Sequence, residues 1–462
     1  MDAALRALNR FGLGARPGER ARLRDPRGWL KAQLEGGPPL VAPPAKGAPL
    51  AIRDAIRAYR QAGQANRIQQ RSPQQTEPQQ LRQERQVARR SLVEIVSAEA
   101  TVSLEARVQS ERPFVERLVA FWSNHLCIST AAKVLVVPLA GSYERDVIRP
   151  HVLGRFEDMV LASARHPAML VYLDNFQSIG PNSRGAARRR GRGGRGLNEN
   201  YARELLELHT LGVNGGYGQQ DVEELAKILT GWTVTGLQDG AATFGFAFQN
   251  PLHEPGARSV LGARYSDGGV AQGEKVIRDL CRHPSTSRFV ATKLVTHFVA
   301  DDPPAPAIER VAQVFRNSEG DLRAVSTALV NLEEAWSPES KKFRTPQDWM
   351  VAALRALDVH EVGPMTVATM RQLRQPLWAP QAPKGFADSM QDWADPDALL
   401  NRAELARTLA RRLRGNVDDP RTLLEAIDVP AADPLRALLA DASIAATDRV
   451  ALALAGPAFQ WR

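Results

Sequence analysis

A mainly helical, all-α protein is predicted by three observations: amphipathic helical runs recur from end to end, strand signals are few, and the composition is that of a globular chain. The 462 residues are 44% hydrophobic and 24% charged, enough to bury a large core. The expected architecture is one large helical body, in one or two lobes, with at most a small β-hairpin near 233–265. The best strand candidates are Val134 to Ala140 and Thr243 to Phe248. Three stretches organise the chain: an N-terminal helical segment (1–60), a linker (61–86) rich in Gln, Arg, Ser and Pro, and a main helical domain (87–462).

From Leu81 the helical pattern resumes and runs toward Gln109, after which Pro113 suits the first turn of a new helix. On that helix Phe114, Leu118, Phe121, Trp122 and His125 fall on one apolar stripe, with Asn124 beside it. A histidine in such a stripe needs a partner for each ring nitrogen it buries, so it is either a satisfied core residue or part of a site. His125 with Cys127, and Cys281 with His283, stand two residues apart. That spacing turns helical side chains about 200° from each other, so neither pair chelates as a helical unit. Two cysteines are also too few for a disulfide framework. His166-Pro167 reads as the start of a further helix, which Asp174 and Asn175 end.

Arg184, Arg188, Arg189, Arg190, Arg192 and Arg195 alternate with glycines up to Gly196. This composition predicts a mobile basic loop over 183–196. Together with the net charge of +9, it favours an anionic ligand, with Arg188 and Arg190 as binding residues. No aromatic platforms are interleaved, which argues against nucleic acid.

The densest group of polar chemistry is GLNENYARELLELHTLGVNGGYGQQDVEELAKILTGW, Gly196 to Trp232. A first helix is expected from Asn198 or Asn200 to Leu211, stopped by Gly212, and a second from Asp221 to Trp232, the two packed as a hairpin. His209 falls inside the apolar arc, whereas Asn200, Arg203, Glu204 and Glu207 make the opposite stripe. Asn198 and Asn200 flank the helix start, a place where backbone N–H groups receive anions. His253-Glu254 lies in a turn-rich stretch, another common setting for functional side chains. The expectation is a polar pocket in which Glu204, His209 and His125 are catalytic. Asn124, Trp122, Asn198, Asn200, Arg203, Glu207 and His253 would bind. If His125, His209, His253 and Glu204 converged, they would suit a transition metal or acid/base work.

The same residues carry a resemblance. NENYARELLELHTLGV and GGYGQQDVEELAKILTGW closely resemble the bacterial family known as domain of unknown function 1800. Further collinear stretches match: LNRFGLGARPGE (from Leu8), FWSNHLCIS (from Phe121), HPAMLVYLDN (from His166), GPNSRG (from Gly180), LHEPG (from Leu252), PLWAPQAPKGF (from Pro376) and the final FQWR. Trp122, Asn124 and His125 fall in one of the family's motifs. Membership implies an all-helical protein but no established reaction. It also implies a frequent genetic neighbour similar to the alkaline phosphatase and sulfatase superfamily, itself commonly exported by a twin-arginine signal.

No phosphate-cradling Gly loop, Gly-x-Ser-x-Gly elbow, His-Glu-x-x-His or dinucleotide fingerprint is present. Three readings remain: an accessory protein working with a phosphatase- or sulfatase-like partner on an exported or anionic substrate, an acid/base or metal-assisted enzyme, and an RNA-binding protein using the Arg/Gly loop. MDAALRALNRFG lacks a basic leader followed by an apolar core, and no stretch approaches the roughly 20 apolar residues of a membrane span. The expected location is the cytoplasm, with export alongside a signal-bearing partner as the alternative.

Overall fold

Helices follow one another from Ala3–Arg6 to Ala446–Ala455 in the computed structural model, which describes residues 2–70, 79–188, 196–236, 244–412 and 419–462. Among these residues the only ladders are two antiparallel pairs: Trp232–Val234 with Phe246–Phe248, and Arg258–Val260 with Ala263–Tyr265. Both lie in the 233–265 region or at its edge, as expected, and the fold is mainly α-helical.

Local sequence sets most helix starts. Pro113 occupies the first turn of Pro113–His125, where its missing N–H costs nothing. His166 and His283 each precede a proline, and each accepts a backbone N–H through Nδ1, from Ala168 at 3.1 Å and from Ser285 at 3.2 Å. These two histidines are helix caps. Asp174 ends the His166 helix in a left-handed conformation, paired with Lys133 at 2.6 Å.

Pro113–His125 is buried along most of its length. Phe114 meets Phe11 and Phe298 at centroid distances of 5.6 and 5.7 Å, while Trp122 meets Phe156 at 5.5 Å. The apolar core is continuous from Leu5 to Phe459 and includes Ile52 and Ile56 of the helix Pro49–Gln70. That helix covers 61–70, and Gln79–Gln109 begins inside the stretch read as linker; the two pack together. Residues 71–78 lie outside the described ones.

Three boundaries differ from expectation. Val134–Leu139 is a 3-10 helix, because Pro138 cannot donate to a strand ladder. The first motif helix is α-helical over Asn200–Glu204 and then widens into a π turn, Leu205–His209, so its helical part ends two residues before Leu211. The second runs from Gln219 to Ile228. Gly231, at φ 82°, then reverses the chain, and Trp232 starts a strand; a Cβ at Gly231 would stand 2.9 Å from the Gln249 carbonyl oxygen. The two helices do pack against each other, as predicted.

Candidate functional site

Three helix segments and one extended stretch enclose a cavity of about 310 Å3, the size of a small ligand site. Phe121, Asn124 and His125 come from Pro113–His125; Lys293, Thr296 and His297 come from Pro284–Phe298; Gln347 and Asp348 come from the first turn of Pro346–Ala356. The fourth wall is the stretch 375–388, with Trp378, Lys384, Phe386 and Asp388.

That stretch has no regular secondary structure of its own, and side-chain-to-backbone bonds hold it in place. Asn124 clamps it with both ends of its amide: Nδ2 donates to the Phe386 carbonyl at 2.9 Å, and Oδ1 accepts from the Phe386 N–H at 2.8 Å. Ser129 Oγ donates to the Pro380 carbonyl at 2.6 Å, and the Thr130 N–H donates to the Trp378 carbonyl at 2.8 Å. Gly385, at φ 81°, passes so near Asn124 that a Cβ would stand 2.5 Å from its carbonyl oxygen. Only glycine fits such an approach in a left-handed conformation.

Two histidines line the cavity. His297 is 9% exposed, and its Nδ1 lies 2.7 Å from Asp388 Oδ2. Asp388 is in turn near Lys342 and near Arg462, at 3.9 and 3.7 Å. Burial pushes the His297 imidazole down to about 4 against the raising effect of Asp388, while His297 first, through its charge interaction and hydrogen bond, and then Lys342 and Arg462 hold the Asp388 carboxyl below the usual carboxylate range despite burial. His297 is therefore neutral near pH 7, with Nδ1–H donating to the carboxylate and Nε2 left without a partner. His125, 2% exposed, directs Nε2 to the His209 backbone carbonyl at 3.1 Å, and its Nδ1 is likewise unpartnered.

The charge balance of the walls is uneven. Asp348 is held by Arg117 at 3.0 Å and Arg462 at 3.3 Å, Asp388 by the groups named above, and Arg107 by Glu144 at 3.0 Å. Lys293 and Lys384 form no ion pair among the described residues; Lys293 stands over the Phe289 ring at 5.7 Å, and desolvation lowers its ammonium. Two unpaired cations thus face a cavity whose carboxylates are already neutralised. Cys127 offers no nucleophile: burial pushes its thiol up to about 12, and Sγ donates to the Pro383 carbonyl at 3.0 Å.

Of the catalytic and binding candidates named from sequence, His125 and Asn124 reach this cavity. Trp122 lies behind it, packed on Phe121 at 5.0 Å. His209 contributes its backbone carbonyl; its ring does not line the cavity and rests near Tyr201 at 6.4 Å. Glu204 is half-buried off the cavity, with no ion pair or hydrogen bond among the described residues; burial and Glu207 raise its carboxyl. Asn198 Oδ1 caps the Asn200 N–H at 2.9 Å, and Asn200 Nδ2 reaches the Leu173 carbonyl at 3.4 Å. Arg203 binds Glu199 and Gln219, and Glu207 accepts from the Tyr217 hydroxyl at 3.4 Å. His253 Nδ1 bonds the Thr230 carbonyl at 2.9 Å. Arg188 is exposed after the short helix Arg184–Ala187, and Arg190 lies outside the described residues, as do 189–195 of the basic loop. His125, His209, His253 and Glu204 do not converge, and among the described residues no three His, Cys, Asp or Glu side chains group as a metal site would need.

Sequence reading missed His297, Lys293, Asp388 and Lys384. The spacing of Lys293, Thr296 and His297 was a usable signal, since i, i+3 and i+4 share one helix face. Asp388 follows the PKGF turn by two residues, a position that only the folded chain places beside His297.

The motif stretches meet in pairs. FWSNHLCIS holds PLWAPQAPKGF, as described. GPNSRG docks on LHEPG, with Asn182 N and Nδ2 each donating to Glu254 at 2.7 Å. Asn175 Nδ2 donates to the Leu229 and Trp232 carbonyls, both at 3.1 Å, tying HPAMLVYLDN to LTGW. Arg10 Nη2 and Arg462 Nη1 each donate to the other residue's carbonyl, at 3.2 and 3.4 Å, joining LNRFGLGARPGE to FQWR. No curated protein and no solved structure matches the chain significantly. A family profile does, over residues 6–461 and so across these paired stretches up to Trp461: the chain belongs to the family described as a protein of unknown function, DUF1800.

Proposed function

We propose that the cavity binds a small organic anion and that His297, oriented by Asp388, acts on it as a base. The observation that carries this reading is the arrangement of His297: Nδ1 is fixed 2.7 Å from a carboxylate, and Nε2 is buried without a partner, in a residue of the wall of a cavity whose charges left unpaired among the described residues, Lys293 and Lys384, are both positive. Asp388 selects the tautomer and supports the imidazolium that forms when Nε2 takes a proton. The lysines attract and seat the anion. Proton abstraction, or activation of a hydroxyl or water, is the chemistry this geometry supplies.

The test uses the full chain with a panel of small carboxylates, phosphate esters and sulfate esters, following binding by calorimetry and turnover by product analysis. Binding is expected to weaken in the double variant Lys293→Met, Lys384→Ala. Turnover is expected to fall about 100-fold or more in His297→Gln, with binding retained. A panel with no lysine-dependent binder would overturn the reading. Binding without turnover would support instead the accessory role beside a phosphatase- or sulfatase-like partner.

A further inference from the structure

The hydrogen-bonding polarity of the cavity narrows the ligand class. At His125, Nε2 faces a backbone carbonyl that can only accept, so Nε2 carries the proton and Nδ1 is a bare lone pair. At His297, Nδ1 faces the Asp388 carboxylate, which also only accepts, so in the neutral ring Nε2 is the second bare lone pair. Both rings line the one cavity, with Phe121 as a common neighbour at 6.3 and 5.3 Å. Both nitrogens are buried without a partner. A buried acceptor left unsatisfied is a standing cost, removed when a ligand brings a donor. A sulfate ion or an ionised aliphatic acid brings none.

We infer that the ligand is a polyhydroxylated anion: a molecule whose negative group meets Lys293 and Lys384 and whose O–H groups donate to His125 Nδ1 and His297 Nε2. A sugar acid and a sugar phosphate share this chemistry. The inference rests on the anion-binding reading above and adds the donor requirement to it.

Two matched pairs of probes test it on the full chain: gluconate against hexanoate, and glucose 6-phosphate against hexyl phosphate. Charge is the same within each pair at equal ionisation, and only the hydroxyl groups distinguish the members. The hydroxylated member of at least one pair is expected to bind ten-fold or more tightly than its aliphatic partner, and the pair that responds identifies the carboxylate or the phosphate as the anionic group. The preference should shrink in His125→Phe, which removes the acceptor while keeping a planar ring. Nitrogen-15 spectra of the wild-type imidazoles provide a check that needs no variant. Protonated Nε2 at His125 and protonated Nδ1 at His297 are expected, with the bare nitrogens shifting when the hydroxylated probe is added. Equal binding within both pairs, or the opposite tautomers, would overturn the donor requirement while leaving the anion site standing. Loss of all lysine-dependent binding would instead remove the anion site itself.

Discussion

At His297 the competition between burial and a neighbouring carboxylate decides the chemistry. Desolvation wins, holding the ring down to about 4, so the base form is expected to persist across neutral pH. Turnover of any substrate found should accordingly be flat from about pH 6 to 8 and decline only as pH falls toward 4; a fall beginning near pH 6.5 would show an imidazole unperturbed by its site. The two thiols present the opposite case. Cys127 is raised by burial to about 12, and Cys281 is also raised by burial. Neither should react with a thiol reagent in the native protein at pH 8, and both should react in denaturant. Prompt labelling of the native chain at Cys127 would mean that the cavity wall opens.

At the scale of elements, the stretch 375–388 depends on one amide and one glycine. Gly385→Ala places a Cβ 2.5 Å from the Asn124 carbonyl oxygen at φ 81°. It should destabilise the protein by about 1–3 kcal/mol and weaken ligand binding at the cavity. Asn124→Ala breaks the same attachment from the other side. If the stretch is held as described, the two changes should be less than additive in a double-mutant cycle. Independent, fully additive effects on the melting temperature would contradict a shared clamp. The sequence showed Asn124 as a polar neighbour of an apolar stripe, but gave no sign that it holds a segment 262 residues away.

Over the whole molecule, buried charges join distant parts of the chain. Asp348 receives Arg117 and Arg462, and these lie among Asn9, Arg10, Arg344 and Arg402. Asp348→Asn leaves buried guanidinium groups uncompensated and should cost about 3–5 kcal/mol. A cost below 1 kcal/mol by chemical denaturation would mean that the network is solvated. Buried histidines set the acid limit. His166 and His209 are lowered by burial to about 3, and His297 to about 4, from the usual 6.5. Because the unfolded chain binds more protons between those values, stability rises with pH from about 3 to 6.5 and is lost on acidification through that window. Asp348, Asp388 and Glu144, lowered in the fold, add a second loss below about pH 4. The melting temperature should thus begin to fall near pH 6.5. His166→Asn, which retains a capping acceptor, should flatten part of that fall; an unchanged slope would refute the assignment to His166.

The sequence by itself determined the helical class, because 3.6-residue periodicity, Pro in first turns and His-Pro caps act within a few residues of chain. It also marked the stretches that matter, among them the Asn124-His125 pair that does reach the cavity. The densest polar motif lies off the cavity: Asn198, Asn200, Arg203 and Glu207 bond to backbone and neighbouring side chains, and His209 lends its carbonyl. Only the tertiary structure decided which polar residues share a space. His297 meets Asp388 across 91 residues, and the unpaired state of Lys293 and Lys384 follows from which carboxylates other cations have already neutralised. Such pairings depend on three-dimensional proximity and on competition for partners, and neither has a period or spacing that a linear pattern can carry.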